Sequence, residues 1–383
     1  MRSTSSLATL LSLSFIAACS SSEPAAPDQL SPPGAPPPGD TTPEPCAEGT
    51  YRTSGGSCEA FPELGVTRSP TTIAPARDHH TTMVLETTSG VWLYVIGGTD
   101  AWESLHDDVQ RAPIAADGSV GAFERVGTLP APRAGHCMVE IHHRLYLFGG
   151  VVGSTRAGSK ASSVVLDLDA EGKVTSATDG PEIPEAVMHL TCEIAGDWVY
   201  VLGGRDQRSQ STKLSARARI GADRTLGAFE EQTPLSPDRS HHASFVRDGR
   251  LYVLGGLTGD PTATYTDRKD AVFAPIAEDG TLGEWVAAGS LPKSLSVSSA
   301  QLYRDAVYLF GGLEDGQRFS DKIRRATFET DGVFGPFATL TAKLPDARGH
   351  VHQTPMWKDF IYSVGGKDMS DRSLDAIDVG RFE

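Results

Sequence analysis

The stretch Leu93-Tyr94-Val95-Ile96-Gly97-Gly98 returns five more times along this 383-residue chain. It reads LYLFGG through Gly149-Gly150, VYVLGG through Gly203-Gly204, LYVLGG through Gly255-Gly256, VYLFGG through Gly311-Gly312 and IYSVGG through Gly365-Gly366. The second glycines, at 98, 150, 204, 256, 312 and 366, fall 52 to 56 residues apart, a period that marks a repeat architecture. An apolar run ending in two glycines reads as a buried strand that stops where a Cβ would clash with a neighbouring chain. No Lys-Ser or Lys-Thr follows and no helical pattern begins there, which excludes a phosphate loop.

Each copy lies inside a longer unit. About sixteen residues before the glycines stands an arginine, at Arg133, at Arg239 and, with one inserted residue, at Arg348; Arg77 is the counterpart once four extra residues in the next hairpin are allowed. Hydrophobic segments such as CMVEIHHRLYLFGG read as two strands joined by a short turn. After the glycines come a polar loop, an alternating segment such as DDVQRAPIAADG, a turn, and a last strand beginning GAFERVG. The turns ADGSVG, EDGTLG and TDGVFG use Asp-Gly, which supplies the positive φ of a tight hairpin. Four strands in a unit of about fifty residues make a propeller blade.

This unit resembles the kelch repeat, and the resemblance covers the chain from about residue 60 to the C-terminus. It implies an all-β fold: a six-bladed kelch-type β-propeller with four antiparallel strands per blade. The tyrosines at 94, 146, 200, 252, 308 and 362 are expected to pack between blades. The last unit supplies a third strand in 374–382 and then the chain stops, whereas residues 59–67 (EAFPELGVT) align with GAFERVGTL. That N-terminal segment is therefore expected to add the outer strand of the last blade and close the ring, removing an open sheet edge.

The N-terminus has a different character. Arg2 precedes the apolar stretch LATLLSLSFIAA (residues 7–18), too short to span a bilayer and long enough for a signal-peptide core. It ends in Phe15-Ile16-Ala17-Ala18-Cys19, which resembles a bacterial lipobox. The resemblance implies cleavage after residue 18 and lipidation of Cys19, with more than one acyl chain making a stable anchor. Ser20 rather than Asp follows, which points to the outer membrane. Residues 19–45, rich in Pro, Ser and Ala, read as a disordered, semi-rigid tether. The remaining organisation is a small cysteine-closed loop at 46–58, with Cys46 and Cys58 expected to bridge, and a propeller at 59–383. Cys137 and Cys192 occupy equivalent strands of neighbouring units and either bridge those blades or are small buried residues.

With a formal charge of -15 the chain is unsuited to nucleic acid or to an anionic lipid face, so membrane contact is expected through the lipid alone. Ligands of propellers sit at the ends of the central channel, on loops held by the frame. After the glycine pairs stand Arg205 and Lys367, basic as in the eukaryotic kelch domains that capture acidic peptides, but Val151, Leu257 and Leu313 are apolar and Glu314 is acidic. His79, His189, His241 and His350 recur where each unit's first strand begins, with Gly135 and Val297 in the other two units; His80, His136 and His242 follow one position on. The reading adopted is that these histidines tie neighbouring loops together; a pH-sensitive ring is the second reading. A metal site ranks last, on the argument that inner strands of neighbouring blades stand too far apart for four ligands to converge. His142 and His143 are expected in a solvated turn.

No catalytic residue, cofactor or metal is assigned. Gly-x-Ser-x-Gly, His-Glu-x-x-His and Cys-x-x-Cys are absent from the sequence, and carboxylates concentrate in turns. Copper oxidases of the galactose-oxidase type have seven blades and a Tyr–Cys cross-link that nothing here matches. The function expected is a cell-envelope lipoprotein, exported and monomeric, whose propeller binds an envelope protein, peptide or glycan at the channel mouth. The alternative is a carbohydrate-processing enzyme like the periplasmic kelch sialic-acid mutarotases, for which Arg205, Lys367, His241 and Glu314 would furnish the site. A purely structural envelope lipoprotein is the third reading.

Overall fold

The structure is a computed structural model that describes residues 46–383, apart from 48, 54, 55, 260–264 and 330. The signal segment 1–18, Cys19 and the tether as far as residue 45 lie outside the described residues.

Six four-stranded antiparallel blades surround a central channel. Blade 1 comprises Thr81–Thr87, Gly90–Ile96, Asp108–Ile114 and Glu124–Thr128, paired in that order from the channel outward. Blades 2 to 5 repeat it, beginning with the inner strands Cys137–Ile141, Thr191–Ala195, Ala243–Arg247 and Ser299–Tyr303. The second strand of each blade is covered on both faces by its neighbours, which is why its sequence is continuously apolar and does not alternate. In blade 1, Leu93, Tyr94, Val95 and Ile96 have no exposed surface. The outer strand, by contrast, meets solvent: Glu124, Arg125 and Thr128 of blade 1 are exposed.

Blade 6 is composite. Met356–Trp357, Phe360–Val364 and Ala376–Phe382 come from the C-terminus, and Leu64–Thr72 supplies the fourth strand, with Leu64 opposite Phe382 and Thr67 opposite Val379. The ring is thus closed by an N-terminal strand as the alignment implied. It begins later than residue 59 because Cys58–Ala60 is used elsewhere, pairing with Thr50–Arg52 in a hairpin held by the Cys46–Cys58 disulfide. Tyr51 and Phe61 of this segment pack with Tyr308, Phe310 and Phe382, so the hairpin adds to the core between blades 5 and 6.

The repeated residues act as joints between blades. Tyr94, Tyr200, Tyr252 and Tyr362 donate their hydroxyls to the carbonyls of Gly172, Gly280, Gly332 and Gly118, each in the outer hairpin of the next blade, at 2.6 to 3.2 Å. Tyr308 faces blade 6, whose outer strand arrives from the N-terminus without such a hairpin, and it packs in the aromatic cluster instead. The glycine pairs are required twice over. Gly149 adopts φ +64°, and a Cβ there would stand 2.7 Å from the carbonyl oxygen of Val187 in blade 3.

The repeated arginines are buried and bind the glycine carbonyls. Arg77 donates to Gly97 (2.9 Å) and to both oxygens of Asp108 (2.8 and 2.9 Å); Arg239 donates to Gly255 and to one oxygen of Asp270, and Arg348 to Gly365 and to one oxygen of Asp378. Blade 5 inverts the pattern. Leu295 stands where the arginine would be, Lys322 and Arg324 take the place of the carboxylate-bearing segment, and Glu314 supplies the negative charge. Glu314, expected on the ligand rim, is 4% exposed and is consumed by Ser320, Lys322 and Arg324.

Closure by the N-terminal strand has a measurable consequence. A chain lacking residues 46–72 loses the outer strand of blade 6 and the hairpin core, and is expected to melt at least about 10 °C below a chain lacking residues 20–43. Equal midpoints in a calorimetric comparison of the two would contradict the closure.

Candidate functional site

One residue per blade, immediately before the inner strand, adopts a left-handed conformation: His79 (φ 55°), Gly135 (65°), His189 (56°), His241 (57°), Val297 (52°) and His350 (56°). Such φ values are uncommon for non-glycine residues and a genuine outlier for a β-branched one. They are held by a closed cycle of hydrogen bonds. The amide of Gly135 donates to His79 (2.8 Å), His189 to Gly135 (2.8 Å), His241 to His189 (3.1 Å), Val297 to His241 (2.9 Å), His350 to Val297 (3.1 Å) and His79 to His350 (3.2 Å). Each preceding residue is bridged to the residue after its own blade's glycine pair, in the pairs Asp78–Thr99, Ala134–Val151, Met188–Arg205, Ser240–Leu257, Ser296–Leu313 and Gly349–Lys367.

The cycle draws six backbones to the axis, and the four histidine rings meet there. Ring centroids are 4.1 Å apart for His79 and His350, 4.9 Å for His79 and His189, and 3.8 Å for His189 and His241, which stack at 23°. The sequence argument that neighbouring blades hold these side chains apart is therefore wrong. It used the spacing of the strands, whereas the histidines precede the strands, on turns that lean inward. His352, which no repeat pattern flagged, joins the group at 5.8 Å from His79 and 5.9 Å from His189.

The surroundings of the cluster disfavour protonation of its imidazoles. Burial, reinforced by neighbouring imidazoles, by Arg205 and by Lys367, pushes His79, His189 and His241 well below the usual histidine range. Burial likewise holds His352 down to about 4. Asp78 Oδ1 binds His79 Nδ1, and Ser240 Oγ lies 3.0 Å from His241 Nδ1. On the loop side Trp102 packs 4.6 Å from His79, Phe319 lies 5.9 Å from His350, and the Phe319 amide meets Met369 Sδ at 2.9 Å. Arg205 is half-buried, with Nε bonded to nothing; Lys367 is buried and paired with Asp371 at 2.6 Å.

On the other side, a cavity of about 530 Å³ runs along all six blades, from His189, His241 and His350 as far as Glu140, Ile194 and Met356. Its lining residues include no Arg or Lys. Burial raises Glu193 in this wall to about 7, against the opposing effect of the Ser244 hydroxyl at 2.6 Å. Cys137 and Cys192, between which sequence left two readings, are disulfide-bonded across blades 2 and 3 in the same wall, with Cα atoms 5.8 Å apart.

The second histidine register serves the joints. His136 Nε2 lies 3.0 Å from Thr81 Oγ1 and His242 Nε2 lies 2.9 Å from Thr191 Oγ1, each linking two blades. His142 and His143 are exposed in their turn, as expected.

Fold and repeats together define a kelch-type six-bladed β-propeller. No family model matches the chain. Kelch-like protein terF of Aspergillus terreus is 24% identical over 193 residues, covering 47% of this chain and 39% of that protein. The Rab9 effector protein with kelch motifs of Bos taurus is 25% identical over 178 residues, covering 44% of each. The chain thus spans less than half the length of these curated relatives. Among solved structures, the one titled "Structure of YjhT" superposes with a TM-score of 0.62 at 11% identity, covering 81% of this chain and 95% of that one, a likeness of fold.

Burial of neutral histidines links stability to acid. His242 is held down to about 3 by burial and by Arg239, so below about pH 6.5 the unfolded chain takes up a proton that the folded chain refuses. Stability present above pH 6.5 is lost as the pH falls towards 3. A His242→Asn variant is therefore expected to lose about 2 kcal/mol less than the unsubstituted chain between pH 6.5 and 4.5, read by urea denaturation. Parallel pH profiles would contradict the buried neutral assignment.

Proposed function

We propose that the chain is a cell-envelope lipoprotein whose propeller is a protein-binding module, with its binding face on the loops above the histidine cluster. The observation that carries this is the composition of that face: Trp102, Phe319, the 56%-exposed Met369 and Arg205 gather over the ring. Aromatics, Met and Arg are the side chains that protein interfaces concentrate. Arg205, only half-buried at this face, carries a guanidinium that suits an acidic group on the partner, whereas Lys367 is already neutralised by Asp371. One relative's name records an effector role, which fits a partner-binding propeller.

A sugar-processing reading has less support. It needs a guanidinium facing the ligand carboxylate, and the channel lining carries none, although Glu193 offers an acid–base group near neutral pH. Envelope location rests on the lipobox residues up to Cys19 and accords with two disulfides, which persist in oxidising compartments.

Cross-linking capture from solubilised envelopes, with the full chain as bait, tests the binding face. The captured protein is expected to be lost with Arg205→Glu combined with Met369→Asp, and kept with Glu193→Gln. The reverse pattern would move the site into the channel and overturn the reading. For the anchor, Cys19→Ser is expected to shift the protein from the membrane pellet to the soluble fraction, and a variant that still pellets contradicts lipidation.

A further inference from the structure

The histidine cluster has a feature that partner binding does not explain. His79, His189 and His350 each present a ring nitrogen within 4.8 Å of the other two. Nitrogen ligands of a tetrahedral zinc ion at about 2.1 Å stand about 3.4 Å apart, so an inward movement of about an ångström would complete such a set. Two of these nitrogen-bearing rings have unmet capacity: Nδ1 of His189 and Nδ1 of His350 are buried and bonded to nothing, as is Nε2 of His352. Leaving a buried polar atom unpaired costs about 1–3 kcal/mol, and here three such atoms lie in one cluster.

We propose that His79, His189 and His350 bind one divalent first-row transition-metal ion, such as Zn²⁺, leaving a coordination position open. Imidazoles select such ions over Ca²⁺ and Mg²⁺, which require oxygen ligands. His79 is already arranged for the task. Its Nδ1 is held by the Asp78 carboxylate, which fixes the ring and leaves Nε2 as the coordinating atom. Asp78 is itself held by the Ser373 hydroxyl at 2.6 Å. His241 stacks flat on His189 and forms a wall, and His352 is the next imidazole within reach.

The charges nearby oppose one another. Arg205 and Lys367 disfavour a dication, but Lys367 is neutralised by Asp371 and the Asp78 carboxylate lies against His79. Three neutral donors with one carboxylate behind them leave the ion a net positive centre, able to take water or an acidic side chain in its open position. This assignment stands independently of the protein partner.

The test is a Co²⁺ titration of the full chain after removal of metal with a chelator, followed by visible absorption, with Zn²⁺ content per chain measured by mass spectrometry. One ion per chain is expected, with the intense visible bands of a low-coordinate cobalt site. His189→Asn is expected to weaken binding at least about 100-fold and Asp78→Asn about 10-fold to 100-fold. The double variant His142→Asn, His143→Asn, which removes exposed histidines far from the cluster, is expected to bind as the unsubstituted chain does. Should His189→Asn fail to fold, as judged by circular dichroism, His350→Gln replaces it. Absence of stoichiometric uptake, loss of uptake in the His142/His143 variant, or unchanged affinity in the cluster variants would each overturn the site.

Discussion

The rest of the molecule depends on one closed circuit: six backbone amides that donate in turn around the channel axis, each to the blade before it. No single link is strong, since a backbone hydrogen bond nets about 1 kcal/mol. A cycle, however, has no frayed end, and its aligned dipoles reinforce each other. It must also offset six left-handed residues, five of them not glycine, and so persists only because the glycine-pair bridges hold each link from outside. The repeat that dominates the sequence is therefore the support of the circuit. The first glycine lets the carbonyl of the next blade's arginine come close, as Arg133 does at Gly97, while the arginine of the glycine's own blade, Arg77, binds the glycine carbonyl.

The circuit also explains the chemistry at the axis. It brings together side chains from four blades that would otherwise point along separate strands. Four imidazoles packed at van der Waals distance remain neutral because burial and their mutual repulsion both oppose protonation. The same closure separates two environments. On one side lies a loop face with a half-buried arginine and exposed methionine; on the other lies a channel wall with Glu193 and a disulfide.

Much of this was legible in the sequence. Six glycine pairs gave the blade number, and the unmatched third strand at 374–382 pointed to the segment that completes it. The alignment of His79, His189, His241 and His350 with Gly135 and Val297 was also correct position by position. What a linear reading could not supply was direction. Whether a side chain before a strand points outward or to the axis depends on its φ, and for histidine nothing local announces a positive value. His352 escaped because its blade begins irregularly, with Thr354 and Pro355 before a two-residue inner strand. Glu314 misled for a different reason. Its position after a glycine pair suggested a rim, but the charge reversal in blade 5 depends on Leu295 and Lys322, residues that only the three-dimensional register places beside it.

The pairing of Leu64 with Phe382 bears on when the molecule can exist at all. Blade 6 needs both Leu64–Thr72 and the last strand, Ala376–Phe382, so the circle cannot be completed until that last strand is available, and two segments from opposite ends of the propeller must meet across a long loop. A chain that stops before residue 376 leaves Leu64–Thr72 without the strand it pairs with. The closed ring becomes reachable only once Ala376–Phe382 can pair with Leu64–Thr72, so completion of the fold is tied to the last strand rather than to any single blade.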